Sequence, residues 1–418
     1  MKVAILGYGK SGKTAEKLLK ISNITHIDIY DDKIKEYKPI KAFDEKNYDI
    51  VVVSPGIDIF SFNISKEKLT SELDLAYSFI SDKKILGITG TNGKSTTTYL
   101  TAEILKNAGY KADFCGNIGR TVGDLYLDKD PDIYVIEVSS FQIDLLKEFR
   151  FDALAITNIT PDHLDRYKTM EKYILSKRRV EEFTKGKLFL EKNEWNRYFY
   201  DIKNIVFVDP EMKNSPKLEK NILSFGDFYV DIGKYKLFGF HNVLNLAFAL
   251  LLANEVASFS GDISHLIENL NALEHRCEFV AEINGVKYIN DSKGTNVDST
   301  LTALKSSNYP TTLILGGKDK DGDFTTLTDE INKKTSLVIC CGAAGNKIYN
   351  SLKGKIKPKI VKVERLKDAL LYAYNETKEG VVLFSPACAS FDEFNNFEER
   401  GRFFKQWVYE LRKGNVDF

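Results

Sequence analysis

The chain has 418 residues, enough for two or three domains, and 43% of them are apolar, enough to fill ordinary cores. Lys plus Arg and Asp plus Glu number 59 each, so the net charge is zero and neither a nucleic-acid footprint nor a polybasic membrane tail is present. The apolar run at residues 1–7 is too short for a signal-peptide core, and no stretch suggests membrane insertion; five cysteines without metal or disulfide spacing fit buried thiols in a reducing cytoplasm.

Short β-branched runs alternate with helical stretches, which predicts α/β architecture in three tandem blocks. The first block, residues 1–82, has strands expected at 3–6, 27–30 and 50–53. Gly7-Tyr8-Gly9-Lys10-Ser11-Gly12 follows the first strand and opens a helix. Asp31 and Asp32 end the second, and Ser54-Pro55-Gly56 stops the third. This is the spacing of a Rossmann-like dinucleotide site, yet the same geometry holds any diphosphate, including one in a UDP-sugar. A NAD-linked dehydrogenase therefore stands as an alternative for this block, beside a tight turn without ligand.

The second block, residues 83–274, opens with a strand at 85–89 that feeds Gly90-Thr91-Asn92-Gly93-Lys94-Ser95-Thr96 and a helix at 97–107. Strand, glycine turn, Lys and Ser in that order make a P-loop: backbone N–H groups and the helix start hold phosphate, Lys94 neutralises it, and Ser95 can ligate Mg²⁺. Ile88 stands where the generic spacing has a glycine. Further strands are expected at 133–138, 154–157 and 188–190. Glu137 is a lone carboxylate in an apolar run, so it is either paired or metal-bound. His163 lies between Asp162 and Asp165 in a loop after a strand, suited to a metal, to acid–base work or simply to the surface. Lys177, in Ser176-Lys177-Arg178-Arg179, reads by itself as part of a solvated basic face. Residues 195–235 have weak periodicity.

The third block, residues 275–418, has strands expected at 288–290, 313–315, 337–340, 360–363 and 381–384. Polar clusters follow several of them: Asn290-Asp291-Ser292-Lys293-Gly294-Thr295-Asn296, then Gly316–Phe324 with Lys320, then Ser385–Phe394. Basic groups at such an edge can hold a carboxylate or a transferring phosphate, although isolated loops of this kind also serve as turns and caps.

Taken in order, these motifs, with Gly116-Asn117-Ile118-Gly119, Glu137-Val138-Ser139-Ser140, Asp162–Tyr167, Gly239–Asn245 and His275-Arg276, resemble the Mur ligase family, and within it the branch that adds D-glutamate. The resemblance implies three domains: a Rossmann-like UDP-substrate domain at 1–82, a P-loop ATP-binding domain at 83–274 and a Rossmann-like amino-acid domain at 275–418. It implies ATP and two Mg²⁺ sites, with Ser95 and Glu137 at one metal and His163 and a carbamylated Lys177 at the other. Gly90 to Thr96, Asn242, Asn245, Arg276 and Asp291 would contact ATP. Lys94, His163, Lys177 and Arg276 would serve catalysis. Lys10, Ser11, Asp31, Asp32, Ser54, Gly56, Asn117 and Ser139 would take UDP-N-acetylmuramoyl-L-alanine. D-Glutamate would meet His163, Lys293, Thr295, Lys320, Ser390, Phe391 and Phe397. Lys10 and the stretch 191–194 depart from the family pattern. A cytoplasmic monomer with a hinge near residues 273–275 completes the expectation. A silent nucleotide-binding regulator would lack the Glu137, His163 and Lys177 set.

Overall fold

Runs of Val, Ile, Ala and Leu buried on both faces set the strands, as parallel sheets require. The computed structural model describes all residues except 60, 61, 63, 193–196, 215, 236–238, 272, 308, 309 and 414–418, and except the side chains of 165 and 234. Contacts divide the chain into two units, Met1–Tyr235 with Leu244–Asn269, and Lys236–Val243 with Leu270–Phe418.

The first unit begins with a parallel sheet of β1 (Lys2–Leu6), β2 (His26–Tyr30), β3 (Ile50–Val53) and β4 (Leu69–Thr70), ordered β2-β1-β3-β4. Leu6 lies opposite Tyr30 and Val53, so Gly7, Asp31 and Ser54 leave the sheet at one edge. Helices α1 (Lys10–Ile21) and α2 (Glu72–Ile80) follow, α2 started by Ser71, whose side chain accepts from the Asp74 N–H.

The second sheet has β5 (Lys84–Thr89), β6 (Ala112–Gly116), β7 (Ile133–Glu137), β8 (Ala153–Ile156), β9 (Leu188–Glu191) and β10 (Ile205–Val208), all parallel, ordered β10-β9-β8-β5-β7-β6. Ile88 sits beside Glu137 and Thr89 beside Ile156, which places the phosphate loop between two functional strand ends. Helix α3 (Lys94–Asn107) follows β5; α4 (Val122–Asp128), α5 (Ser140–Ile143), α6 (Leu164–Tyr167) and α7 (Met170–Arg178) connect the later strands. The region of weak periodicity holds β10 and a small sheet of β11 (Lys217–Glu219), β12 (Ile222–Ser224) and β13 (Phe228–Asp231), with β14 (Gly261–Asp262) added later. Strands of two to four residues carry too little alternation to be read from sequence.

Helix α8 (Phe240–Ala257) revises the expectation that no stretch reaches membrane-spanning length. Its 18 residues have a mean hydropathy of 1.3, enough by length and composition. That hydropathy is used inside the first unit, where the run Leu246, Ala247, Phe248, Ala249, Leu250, Leu252 and Ala253 is fully buried.

The second unit has a sheet ordered β15-β16-β20-β17-β18-β19: β15 (Glu278–Ile283), β16 (Val286–Asn290), β17 (Thr311–Gly316), β18 (Thr335–Cys341), β19 (Lys359–Lys362) and β20 (Gly380–Ala387). Only β15 is antiparallel. Helices α9 (Val297–Ser306), α10 (Thr328–Lys334), α11 (Gly345–Leu352), α12 (Leu366–Glu376) and α13 (Phe397–Arg412) cover its two faces, each with its own apolar cluster. All five cysteines are buried and free, as their spacing predicts.

Candidate active site

The phosphate loop is held from below by the strand next to it. Thr157 Oγ1 donates to the Asn92 carbonyl at 2.6 Å, and Asn158 accepts from the Asn92 N–H at 2.9 Å. Gly93 has φ 82°, and a Cβ there would lie 2.3 Å from Asn245 Oδ1, so the turn requires glycine and puts Asn245 against the loop. Helix α3 begins without a side-chain cap, which leaves its first N–H groups to an anion. Lys94 Nζ donates to the carbonyls of Gly90 at 2.9 Å and Thr91 at 2.7 Å, with Ser95 and Thr96 buried behind it.

Lys177 is not on a solvated face; it is 1% exposed. Arg178 turns outward to Asp201 at 2.8 Å, and Arg179 donates to the carbonyls of Ile143 and Asp144, so the helix aims Lys177 inward. Its Nζ donates to the Gly90 carbonyl at 2.9 Å and lies 4.9 Å from the Tyr173 ring centre. Burial, then the charge of Lys94, holds its pKa well below the ordinary lysine value. The same Tyr173 ring lies 6.3 Å from His163, which adopts φ 53° at the start of α6 and stands 4.7 Å from the Phe141 ring. Glu137 is 1% exposed at the end of β7 and accepts from Asn117 Nδ2 at 2.7 Å. A residue expected on the muramoyl side thus orients an expected metal ligand.

Among the described residues no group of three or more His, Cys, Asp or Glu is placed to hold a metal ion. The hard oxygens of Ser95 and Glu137 fit Mg²⁺, which fills its remaining positions with water and phosphate. An unmodified Lys177 does not fit a metal site as a cation; a carbamate oxygen on it would.

At the N-terminal sheet edge, Asp31 accepts from the N–H groups of Tyr8 at 2.7 Å, Lys33 at 2.7 Å and Ile34 at 3.2 Å. Ser54 Oγ donates to the Gly7 carbonyl at 2.6 Å, and Asp32 accepts from the Ile40 N–H. Asp31 and Ser54 therefore build the glycine turn itself. Lys10 Nζ donates to the Gly119 carbonyl at 3.3 Å, while Ser11 lies in the first turn of α1 and Gly56 in the turn after β3. Ser139 caps α5 in a reciprocal pair with Gln142. Arg166 joins this edge to the His163 loop, donating to the carbonyls of Pro55 and Ile57 with its guanidinium 4.1 Å from the Phe141 ring.

In the second unit, Arg276 lies between two left-handed residues, His275 at φ 66° and Cys277 at φ 43°. Burial, followed by the charge of Arg276, lowers His241, the neighbour of Asn242, to about 4. Asp291 is buried, accepts from Ser385 Oγ at 2.6 Å and is pushed up to about 6 by desolvation. Lys293 Nζ lies 3.9 Å from the Phe397 ring centre. Thr295 precedes the Asn296 cap of α9, Lys320 is exposed on the loop after β17, Ser390 is buried, and Phe391 is 66% exposed.

The Mur ligase middle domain pattern matches residues 88–253, and the Mur ligase glutamate ligase domain pattern matches residues 275–388. UDP-N-acetylmuramoylalanine–D-glutamate ligase of Francisella tularensis subsp. novicida is 35% identical over 99% of this chain and 97% of its own length. The chain belongs to the Mur ligase family. The enzyme of the same name from Thermoanaerobacter sp. is 36% identical over 99% of both chains. Among solved structures, UDP-N-acetylmuramate–alanine ligase from Thermotoga maritima has a TM-score of 0.60 at 16% identity over the full length of both chains. A MurF ligase from that organism, in complex with ADP, reaches 0.62 at 17% identity, over 92% of this chain and 95% of its own. These last two share the fold.

Sequence reading missed several supports of this Mur ligase site. Asp144 accepts from Tyr167 at 2.7 Å and Ser176 at 2.6 Å beneath Lys177, and Arg400 of α13 reaches back to the loops after β16 and β20. Asp144 ends a short helix and Arg400 sits in a charged amphipathic one, where no local pattern separates an inward ion from a solvated one.

Proposed function

We propose that the chain is an ATP-dependent ligase that adds D-glutamate to UDP-N-acetylmuramoyl-L-alanine in peptidoglycan precursor synthesis. The observation that carries this reading is the full-length likeness to D-glutamate ligases, which spans the N-terminal glycine turn, the phosphate loop and the C-terminal loops together. The substrate division is 1–82 for the UDP moiety, 83–274 for ATP and 275–418 for the amino acid. The separate sheets of these segments support it. The protein works in the cytoplasm as a monomer.

The terminal carboxylate of the UDP-substrate attacks the γ-phosphorus of ATP, forming an acyl phosphate and releasing ADP. The amine of D-glutamate then attacks the carbonyl carbon; phosphate leaves, and the surplus ammonium proton passes to a base. Two Mg²⁺ ions, at Ser95 with Glu137 and at His163 with carbamylated Lys177, would supply Lewis-acid charge on the phosphate oxygens. Lys94 swings from the loop carbonyls to the phosphates, and Asn242, Asn245, Arg276 and Asp291 orient the nucleotide. Lys293, Thr295, Lys320, Ser390, Phe391 and Phe397 receive the amino acid. Water has to be kept from the acyl phosphate, and a hinge near residues 273–275 is the device for it. A scattering profile unchanged by ATP plus UDP-substrate would count against that hinge.

The dehydrogenase alternative needs an acidic residue free for a ribose hydroxyl. Asp31 already accepts three backbone N–H groups, which speaks against it. The test is phosphate release with ATP, Mg²⁺, UDP-N-acetylmuramoyl-L-alanine and each glutamate enantiomer. Release that requires D-glutamate supports the reading; release with L-glutamate and a folate, or micromolar NADH binding without ligase activity, overturns it.

A further inference from the structure

Three loops leave the carboxyl edge of adjacent strands β16, β20 and β17, and one side chain ties them together. Arg400, one turn into α13, is 3% exposed. Its Nη2 donates to the Ser292 carbonyl at 2.8 Å and the Cys388 carbonyl at 3.1 Å; Nη1 donates to the Ala389 carbonyl at 3.2 Å, and Nε to Ser292 Oγ at 3.1 Å. Ser292 Oγ passes the connection on, donating to the Phe397 carbonyl at 2.8 Å. The third loop joins through Ala389, whose carbonyl accepts from the Lys318 N–H at 2.8 Å and whose N–H donates to the Lys318 carbonyl at 3.0 Å. The approach is close enough that a Cβ on Gly317 would stand 2.3 Å from the Ala389 carbonyl oxygen and 2.9 Å from Arg400 Nη1.

Ser292 precedes Lys293, Ala389 precedes Ser390, and Lys318 is two residues from Lys320. Phe397, which carries the Lys293 ammonium on its ring, lies three positions before Arg400 on the same helix. The guanidinium thus fixes the backbone next to Lys293 and Ser390 directly and, through Ala389, the backbone of Lys318. All four of its hydrogen bonds end on neutral oxygens. The carboxylates of Asp392 and Asp291 lie near enough to offset its charge, so what the guanidinium contributes is the fixed geometry of the loops.

We propose that Arg400 is a positioning residue for the amino-acid substrate: it keeps the three loops in mutual register, so that the groups they carry can receive a dicarboxylic amino acid. This rests on the assignment of these loops to the amino acid made above. A lysine could restore the charge but not the planar fork that spans two loops.

The test is steady-state phosphate release by the full-length enzyme with D-glutamate, ATP and UDP-substrate varied in turn. Arg400→Met should raise KM for D-glutamate by about 30-fold or more and leave KM for ATP within about 3-fold. Arg400→Lys should recover part of that loss. Should Arg400→Met fail to fold, Ser292→Ala, which removes one partner, should raise KM for D-glutamate about 3- to 10-fold with the same selectivity. A KM for D-glutamate that does not move, or three KM values that rise together, overturns the proposal. Wild-type enzyme inactive with D-glutamate overturns the functional reading beneath it, whereas active wild type with unaltered variants overturns this inference alone.

Discussion

The amines of Lys94 and Lys177 converge on one oxygen, the Gly90 carbonyl, each at 2.9 Å. Two ammonium groups that meet on a single acceptor repel, and burial together with the Lys94 charge favours the neutral form of Lys177. A neutral amine can attack CO₂, lose a proton and become a carbamate, an anion that answers the Lys94 charge.

Carbamylation of Lys177 is therefore expected in bicarbonate buffer. A carbonyl resonance from ¹³C-bicarbonate should appear in the wild type and be missing from Lys177→Arg, whose ligase activity should fall about 100-fold. A full-strength signal in the arginine variant would remove the assignment. In CO₂-free buffer the unfolded chain keeps the Lys177 proton to higher pH than the folded chain does. Stability should consequently rise with pH from the lowered folded value up to the ordinary lysine range. Urea midpoints across that range check the sign.

Lys94→Ala should abolish ATP-dependent phosphate release while far-ultraviolet circular dichroism stays unchanged. The side chain bonds its own loop at Gly90 and Thr91, within a few residues of itself, so its removal should cost the fold little. A variant with wild-type turnover would exclude the loop from ATP chemistry.

Glu72 is buried on α2, accepts from the Gly123 N–H at 2.8 Å and is raised to about 7 by desolvation. The folded state holds this proton more tightly than the unfolded one, so the contribution to stability is present at low pH and is lost as pH rises through about 7. Glu72→Gln keeps an acceptor for Gly123 and should stabilise the protein at pH 8 by on the order of 2 kcal/mol. The advantage should vanish near pH 4. Equal midpoints for both proteins at pH 8 would show that Glu72 is not the group responsible.

Asp74 Oδ1 accepts from three consecutive backbone N–H groups, those of Lys147 at 3.2 Å, Glu148 at 2.9 Å and Phe149 at 2.9 Å. Asp74→Ala strands them and should cost about 3 kcal/mol or more, read as a lower urea midpoint. A loss below about 1 kcal/mol would mean that water replaces the carboxylate.

Much of this was legible beforehand because strong local signals agree with the tertiary structure. The β5-to-α3 turn carries its glycines, Lys94 and Ser95 in a window of seven residues, and the β-branched strand runs coincide with β1, β5, β7 and β17. Strand β6 was missed because Asp113, Cys115 and Gly116 break its pattern, and Asp113 is tolerated through Lys106, Lys129 and the Phe114 N–H. Lys177 was misread from its neighbours: three basic residues in a row look solvated, yet one turn of helix sends one inward and two elsewhere. Arg166, Asp144 and Arg400 act across long sequence separations, and no window on the chain contains both ends of such a contact. The roles of Asp31 and Ser139 show the converse, since residues with a ligand's chemistry are occupied with a turn and a helix cap.

The ties between the first two sheets bear on how the protein can be divided for practical use. Thr14 Oγ1 meets Thr121 Oγ1 at 2.8 Å and Asp124 at 2.9 Å, Glu72 holds Gly123, and Asp74 holds residues 147–149. Excised alone, the 82-residue N-terminal segment would expose these acceptors and a four-stranded sheet whose last strand has two residues. Screening of nucleotide-sugar mimics should therefore use a fragment that runs through the Lys177 helix, because the shorter piece would present a frayed surface that the intact enzyme never shows to a ligand.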